Sequence, residues 1–376
     1  MEFKGIKAQY LAIKDRLAPR LQKILEEGSF IQGQEVLELE RALAEYIGVN
    51  HCITCGNGTD ALTLVLSAYG IGPGDCIFVP DFTFFATAEA PAKLGAEIIF
   101  VDVDPETFNI SPRSLEEAII RVLKGGSLKP KAIISVDLFG LPADYSSLEP
   151  LAEKYELLLL EDGAQGFGST LCNRPALSFG SAATTSFFPT KPLGCYGDGG
   201  AIFTRDSALA EELYSIRAHG QGKNKYDNVR LGYNSRLDTL QAAVLLTKLE
   251  ALKEYELKTM EKMAQIYSKR LSSIVGTPKT PSSVASSWAQ YTIKLKDAKE
   301  RNGLKRYLQE RDIPTMIYYE KPLQEQKAFC YLKALQEPCP TAKALGERVL
   351  SLPIHGYQTE KELDFICSSI EEYFSL

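Results

Sequence analysis

Histidine is scarce, occurring only at 51, 219 and 355 of the 376 residues, so a metal centre rich in neighbouring imidazoles is not expected. The one Cys-x-x-Cys pair, Cys52 and Cys55, has no second copy to complete a four-ligand site. It also lies in a strand-like run, where an odd step sends the two side chains to opposite faces. No metal site is expected. The other six cysteines form no repeating framework, which reads as reduced core residues rather than a disulfide scaffold. Long apolar runs are missing too: stretches such as Leu157 to Leu160 fall far short of the roughly 20 residues that cross a bilayer. Basic residues are not in excess, with Lys and Arg at 42 against 48 Asp and Glu and a net charge of −6, which disfavours binding to nucleic acid phosphates. The opening residues, Met1-Glu2-Phe3-Lys4-Gly5-Ile6, lack the basic-then-apolar pattern of an export leader, and the expectation is a cytoplasmic protein with no membrane partner. The length implies two or three domains with a sizeable core.

What the chain does have is alternation. Between about residues 50 and 205, short apolar runs of strand length recur at 51–55, 76–80, 97–103, 132–137, 157–162, 184–188 and 201–204. Helix signals separate them: Pro112 after Ser111 at a first helical position, a capping-box pattern from Ser114 to Glu117, and Gly70 closing a helix that starts near Thr59. This pattern predicts an α/β domain with a largely parallel sheet. Two amphipathic segments, 11–26 and 34–46, precede it. A long helical stretch over 238–271 follows, then a Ser/Pro/Thr-rich loop over 276–287. A strand at 290–295 and helices at 301–311 and 360–374 predict a smaller α+β unit. The expected division is 1–250 for the large unit and 251–376 for the small one.

Three local patterns bear on chemistry. Gly56-Asn57-Gly58-Thr59-Asp60-Ala61 follows a strand and opens a helix, where free N–H groups can hold a phosphate. The same string fits a dinucleotide fingerprint, with Asp81 at about 20 residues' distance, and an NAD-dependent sugar dehydrogenase is therefore one reading. Asp162 ends the apolar run 157–162, at the strand end where open α/β sheets bind ligands; it can cap a helix or face a cation. A pyridinium nitrogen is one such cation, and Gln165 could bond a substituent of that ring. Lys191, in Ser186-Phe187-Phe188-Pro189-Thr190-Lys191-Pro192, sits among apolar residues and glycine. Desolvation there lowers its pKa and frees the amine to attack an aldehyde. Phosphate, ring nitrogen and aldehyde are the three handles of pyridoxal phosphate, and a dehydrogenase has no use for that lysine.

Gly58-Thr59-Asp60-Ala61-Leu62, Glu161-Asp162 with Gln165, Ser186 to Lys191, and Gly232-Tyr233-Asn234-Ser235-Arg236-Leu237-Asp238 together closely resemble the DegT/StrS group of sugar aminotransferases, which are fold type I pyridoxal phosphate enzymes. The resemblance runs from about Phe30 to the C-terminus. It implies a mixed, mostly parallel seven-stranded sheet in a large domain, a smaller C-terminal domain, and a homodimer with active sites at the interface. It further implies that Lys191 joins the cofactor aldehyde and later shuttles a proton, and that Asp162 pairs with the ring nitrogen. Gln165 would meet the ring hydroxyl, Phe84 would cover the ring, and Gly58, Thr59 and Ser186 would hold the phosphate with Asn234 from the other subunit. The implied reaction moves an amino group, from L-glutamate, to a nucleotide-linked 3-keto sugar carrying UDP or dTDP, for amino sugars of polysaccharides such as lipopolysaccharide O-antigen. Arg236, Tyr318 and Tyr319 are the implied substrate residues. The Tyr318-Tyr319 pair stands where relatives acting on the uronic acid carry His-Tyr, and tyrosine supplies no positive charge for a carboxylate. A dehydratase using the same cofactor is the other reading, although such enzymes commonly replace the lysine by histidine. His219, in a loop, is read as structural.

Overall fold

The computed structural model describes residues 1–224 and 226–376, with the side chains of 333–335 left aside. Helices α1 (Ile6–Glu27) and α2 (Gln34–Ile47) lead into strand β1 (His51–Cys55) and α3 (Gly58–Ala68). Then come β2 (Asp75–Pro80), α4 (Ala86–Lys93), β3 (Glu97–Val101), α5 (Pro112–Gly125), β4 (Lys129–Val136), α6 (Tyr145–Lys154) and β5 (Leu158–Asp162). Strands β6 (Ala182–Ser186) and β7 (Gly200–Thr204) complete the main sheet before α7 (Ser207–Ile216). All seven expected strands are present, each within a few residues of its predicted bounds.

The sheet order is β1-β7-β6-β5-β4-β2-β3, with β7 antiparallel to both neighbours and the pairs from β6 to β3 parallel. Both faces are covered, which is why β2, β4 and β5 read as nearly unbroken apolar runs. Ile77, Val79, Ile134 and Leu160 face a core with α3 and α7, while Phe78, Ile133 and Leu159 face one with α5 and α6. The same alternation separates Cys52 from Cys55: they belong to different cores, on opposite sides of β1. Burial holds the Cys55 thiol up at about 12, so it stays protonated.

Local signals mostly hold. Ser111 caps α5 by accepting the Ser114 N–H, and Pro112 takes its first turn. The Ser114 to Glu117 capping box is therefore corrected: the cap lies three residues earlier, because Pro112 has no N–H to satisfy and fixes the helical φ itself. The long stretch becomes α8 (Thr239–Ala251), one wider π turn over Leu252–Glu256, and α9 (Leu257–Leu271). Beyond it, β8 (Tyr291–Lys294) pairs antiparallel with β9 (Val349–Leu352), flanked by α10 (Ala298–Gln309), α11 (Pro340–Arg348) and α12 (Glu360–Ser375). Strand β9 is only four residues long, too short to show a period. The position of α1 and α2, undecidable from pattern, is settled by packing: Leu17, Val36, Leu39 and Leu43 share one core with Leu245 of α8, Met263 of α9 and Ile366 of α12. No helix among the described residues is long and apolar enough to cross a membrane.

A buried ion pair locks α2 to the sheet edge. Arg217 Nη1 lies 2.6 Å from Glu40 Oε1 and donates to Thr54 O at 2.7 Å, while Thr54 N and Oγ1 donate to the same carboxylate oxygen. Removing one partner of such a pair leaves an uncompensated buried charge. Glu40→Ala is expected to cost about 3–5 kcal/mol, read as a lowered urea midpoint with unchanged slope.

Candidate active site

The three local patterns converge on one cavity of about 680 Å³ at the C-terminal ends of the central strands. At one end, Asn57 caps α3 by accepting the Asp60 N–H at 2.8 Å, which leaves the N–H groups of Gly58 and Thr59 without a helical acceptor. Ser186, at the end of β6, closes this cup. A Cβ on Gly58 would come within 2.7 Å of the Ser186 Cβ, so only glycine lets the helix end approach the serine. Phosphate needs such convergent donors at a positive helix end. Gly58→Ala is expected to weaken binding of pyridoxal 5′-phosphate about tenfold, measured by equilibrium dialysis, because a shift of a few tenths of an ångström spoils charge-assisted hydrogen bonds.

Asp162 ends β5 in the cavity wall and is buried. Its carboxylate accepts Thr87 Oγ1 at 2.9 Å and the Ala164 N–H at 3.2 Å. Burial raises its pKa, opposed by these two donors and by the Lys191 charge. Its neighbour Glu161 points to the other face of the strand, where it accepts the Leu177 and Phe179 N–H groups. Burial and the adjacent Asp137 hold Glu161 well above the usual carboxylate range. Two acids in sequence thus have separate tasks: Glu161 is a protonated core residue, and Asp162 is the one available to a cation. Thr87, which carried no signal in the sequence, is the side chain that aims it.

Lys191 lies in the loop that leaves β6, where its N–H bonds Phe188 O at 2.9 Å. Burial lowers its pKa, and the Asp162 charge opposes that lowering. The predicted desolvation is therefore present, with the acid close enough to be felt across the cavity. Gln165 accepts the Phe139 N–H at 2.8 Å and donates to Tyr319 Oη at 3.4 Å, and burial holds the Tyr319 phenol up. Phe84 is 54% exposed at the mouth, its ring centroid 6.2 Å from that of Tyr319.

Of the predicted residues, Gly58, Thr59, Phe84, Asp162, Gln165, Ser186, Lys191, Tyr318 and Tyr319 all line this cavity. Asn234 and Arg236 do not. Asn234 is exposed and bridged to Ala218, although Ser235 beside it accepts the Gly56 N–H and donates to Asp60, tying that segment to the phosphate turn. His219 lies outside the cavity lining, its N–H on Tyr233 O and its carbonyl accepting from Asn228.

The dehydrogenase reading fails on topology. A dinucleotide fingerprint needs β1 and β2 as adjacent parallel strands, and here β7, β6, β5 and β4 stand between them. Asp81 is fully buried, accepting the Gln324 N–H at 2.7 Å, and does not reach the cavity. Gln290, which the sequence did not single out, does line it.

Comparison with known proteins agrees. Over 371 residues the chain is 42% identical to the UDP-2-acetamido-2-deoxy-3-oxo-D-glucuronate aminotransferase of Pseudomonas aeruginosa, spanning 98% of this chain and 99% of that protein. It is 38% identical over 366 residues to the UDP-N-acetyl-3-dehydro-alpha-D-glucosamine 3-aminotransferase of Acidithiobacillus ferrooxidans, spanning 97% and 95%. A crystal structure of a DegT/DnrJ/EryC1/StrS aminotransferase from Brucella abortus superposes with a TM-score of 0.97 at 46% identity, covering 100% of both chains. The model of the DegT/DnrJ/EryC1/StrS aminotransferase family matches residues 12–371, and the chain belongs to that family.

Proposed function

We propose that this enzyme transfers an amino group, from L-glutamate, to the 3-keto carbon of a UDP-linked 2-acetamido sugar, with pyridoxal 5′-phosphate as its resident cofactor. One observation carries the reading: a phosphate cup, a buried carboxylate and a desolvated amine line a single cavity. Gly58, Thr59 and Ser186 would take the phosphate, Asp162 the ring nitrogen and Gln165 the ring hydroxyl, with Phe84 over the ring. Each fits by chemistry, and the Gly58–Ser186 approach leaves no room for a side chain. When bound, the cofactor supplies a protonated ring that accepts the electron pair released at the substrate carbon.

The chain's own residues do the rest. Asp162, held by Thr87, keeps a proton on the ring nitrogen because an anion beside it raises that nitrogen's pKa. Lys191 Nζ, uncharged at working pH through burial, takes the proton from the substrate carbon and returns it elsewhere. A lysine in this position fits transfer better than dehydration. Tyr318 and Tyr319 offer hydroxyls and no positive charge, which favours a neutral sugar over the uronic acid named for the Pseudomonas relative.

The same proposal includes a homodimer in which Asn234 and Arg236 reach the partner's cavity, a cytoplasmic location, and a product used for polysaccharides such as O-antigen. It divides the chain into a large unit over 1–250 and a small one over 251–376. Support for the dimer comes from exposed apolar residues on the loop before Asn234, with Val229 and Leu231 at 56% and 98% exposure. The deciding experiment mixes the pyridoxamine form with UDP- and dTDP-linked 3-keto and 4-keto sugars, both neutral and carboxylated, and follows recovery of the aldehyde form. Fastest recovery is expected with the neutral UDP-linked 3-keto sugar. Recovery only with 4-keto sugars, or with none, would refute the proposal.

A further inference from the structure

Gln290 has no assigned role, yet its side chain is the odd one in its layer. The segment 287–290 packs under the cavity floor: Ser287 Oγ donates to Gln165 O at 2.9 Å, Ser286 Oγ donates to Gly140 O at 3.0 Å, and the Gln290 N–H bonds Phe139 O at 3.3 Å. These bonds fix the backbone of Gln290 next to Gln165. Its side chain is 9% exposed and lines the cavity, and its Oε1 is buried with no hydrogen-bond partner. The neighbouring Gln165, by contrast, has both ends of its amide engaged. Buried amides are nearly always bonded, so one left open at a ligand cavity points to a ligand atom as its partner.

We infer that Gln290 is a specificity residue for the acceptor sugar, its amide oxygen accepting a hydrogen bond from a sugar hydroxyl or acetamido N–H. This rests on the substrate class proposed above. Chemistry selects the sugar over the other ligands of the site. The cofactor's phosphate, ring nitrogen and ring hydroxyl already have Gly58, Thr59, Ser186, Asp162 and Gln165. L-Glutamate at neutral pH offers carboxylates, which accept only, and the one amine that is transferred. A nucleotide-linked 2-acetamido sugar brings several O–H donors and an N–H, and a site built to bond such a group discriminates strongly against analogues lacking it.

Gln290 also borders a side cavity of about 20 Å³. That space holds at most one water, which would make the residue merely structural.

The test compares the wild-type holoenzyme with Gln290→Leu, which keeps the volume and removes the hydrogen bonds. Binding of UDP-N-acetylglucosamine, which carries the hydroxyls and the acetamido group without the ketone, is measured by calorimetry beside UDP alone. The glutamate half-reaction, the cofactor absorption spectrum and the melting temperature are followed in parallel. The expected result is about 10- to 100-fold weaker binding of the UDP-sugar, with UDP binding, the glutamate half-reaction and the spectrum within about twofold. UDP-sugar binding that stays within twofold overturns the inference in favour of the water-bonded structural role. An equal loss in the glutamate half-reaction overturns it in favour of a role at the cofactor or donor. Failure of the substrate class looks different: the wild type itself would bind UDP-N-acetylglucosamine no more tightly than UDP, and the inference would fall with it. Should the leucine variant melt early, Gln290→Asn, which keeps an amide one carbon short, is expected to show the same selective loss.

Discussion

Replacing Lys191 with alanine is expected to lower amino transfer by at least about 10⁴-fold, because one side chain supplies both the covalent anchor and the proton carrier. Its amine is positioned for both tasks by burial, which lowers its pKa, and by a loop tied to Phe188. Borohydride treatment followed by mass spectrometry should attach the cofactor to wild-type Lys191 and to no residue of the variant. The phosphate cup and Asp162 remain in Lys191→Ala, so the cofactor should still bind, reversibly. A variant with normal turnover would remove Lys191 from the mechanism.

The second large effect is expected at Asp162. Asp162→Ala removes the anion that keeps the ring nitrogen protonated, and the chemical step should fall about 10²- to 10³-fold, the usual loss when one preorganised electrostatic partner is removed from a buried site. Cofactor retention should fall by much less, since the phosphate cup and the Lys191 linkage are untouched. Single-turnover kinetics with glutamate separates the two. Asp162→Asn sharpens the reading: it can still accept the Thr87 hydroxyl yet carries no charge, so a rate near that of the alanine variant assigns the effect to charge rather than to shape. If dissociation of the cofactor accounted for the whole loss, Asp162 would be an anchor and not an electronic partner. The opposing pKa directions agree with these roles. Burial pushes the Asp162 carboxyl up and the Lys191 amine down, so each is held toward its neutral form until a partner charge arrives.

Sequence signals located these two residues because they rest on short-range physics. A run such as Leu157 to Leu160 marks a strand covered on both faces, and its last residue falls at the ligand-binding edge whatever the rest of the chain does. A glycine turn after a strand and before a capped helix likewise exposes N–H groups locally. The same reasoning could not separate a phosphate cup from a dinucleotide turn, because the two differ in which strand lies beside β1, and that neighbour is β7, some 150 residues on in the chain. The role of Glu161 was equally hidden: its chain neighbour is Asp162, but its partners are the backbone at Leu177 and Phe179 on the far face of the strand.

By itself, then, the order of residues determined the strands, most helix caps, the anion-binding turn, and the acid and amine that face the cavity. Each depends on neighbours within about one helical turn or one strand, where sterics and hydrogen-bonding capacity act directly. Only the tertiary structure decided the strand order, the docking of α1 and α2 against α8 and α9, the aiming of Asp162 by Thr87, and the arrival of Gln290, Tyr318 and Tyr319 at a cavity built from residues 57 to 198. Those contacts join segments far apart in the chain, and their stability comes from apolar area removed from water, which is non-directional and leaves no local mark on any one residue.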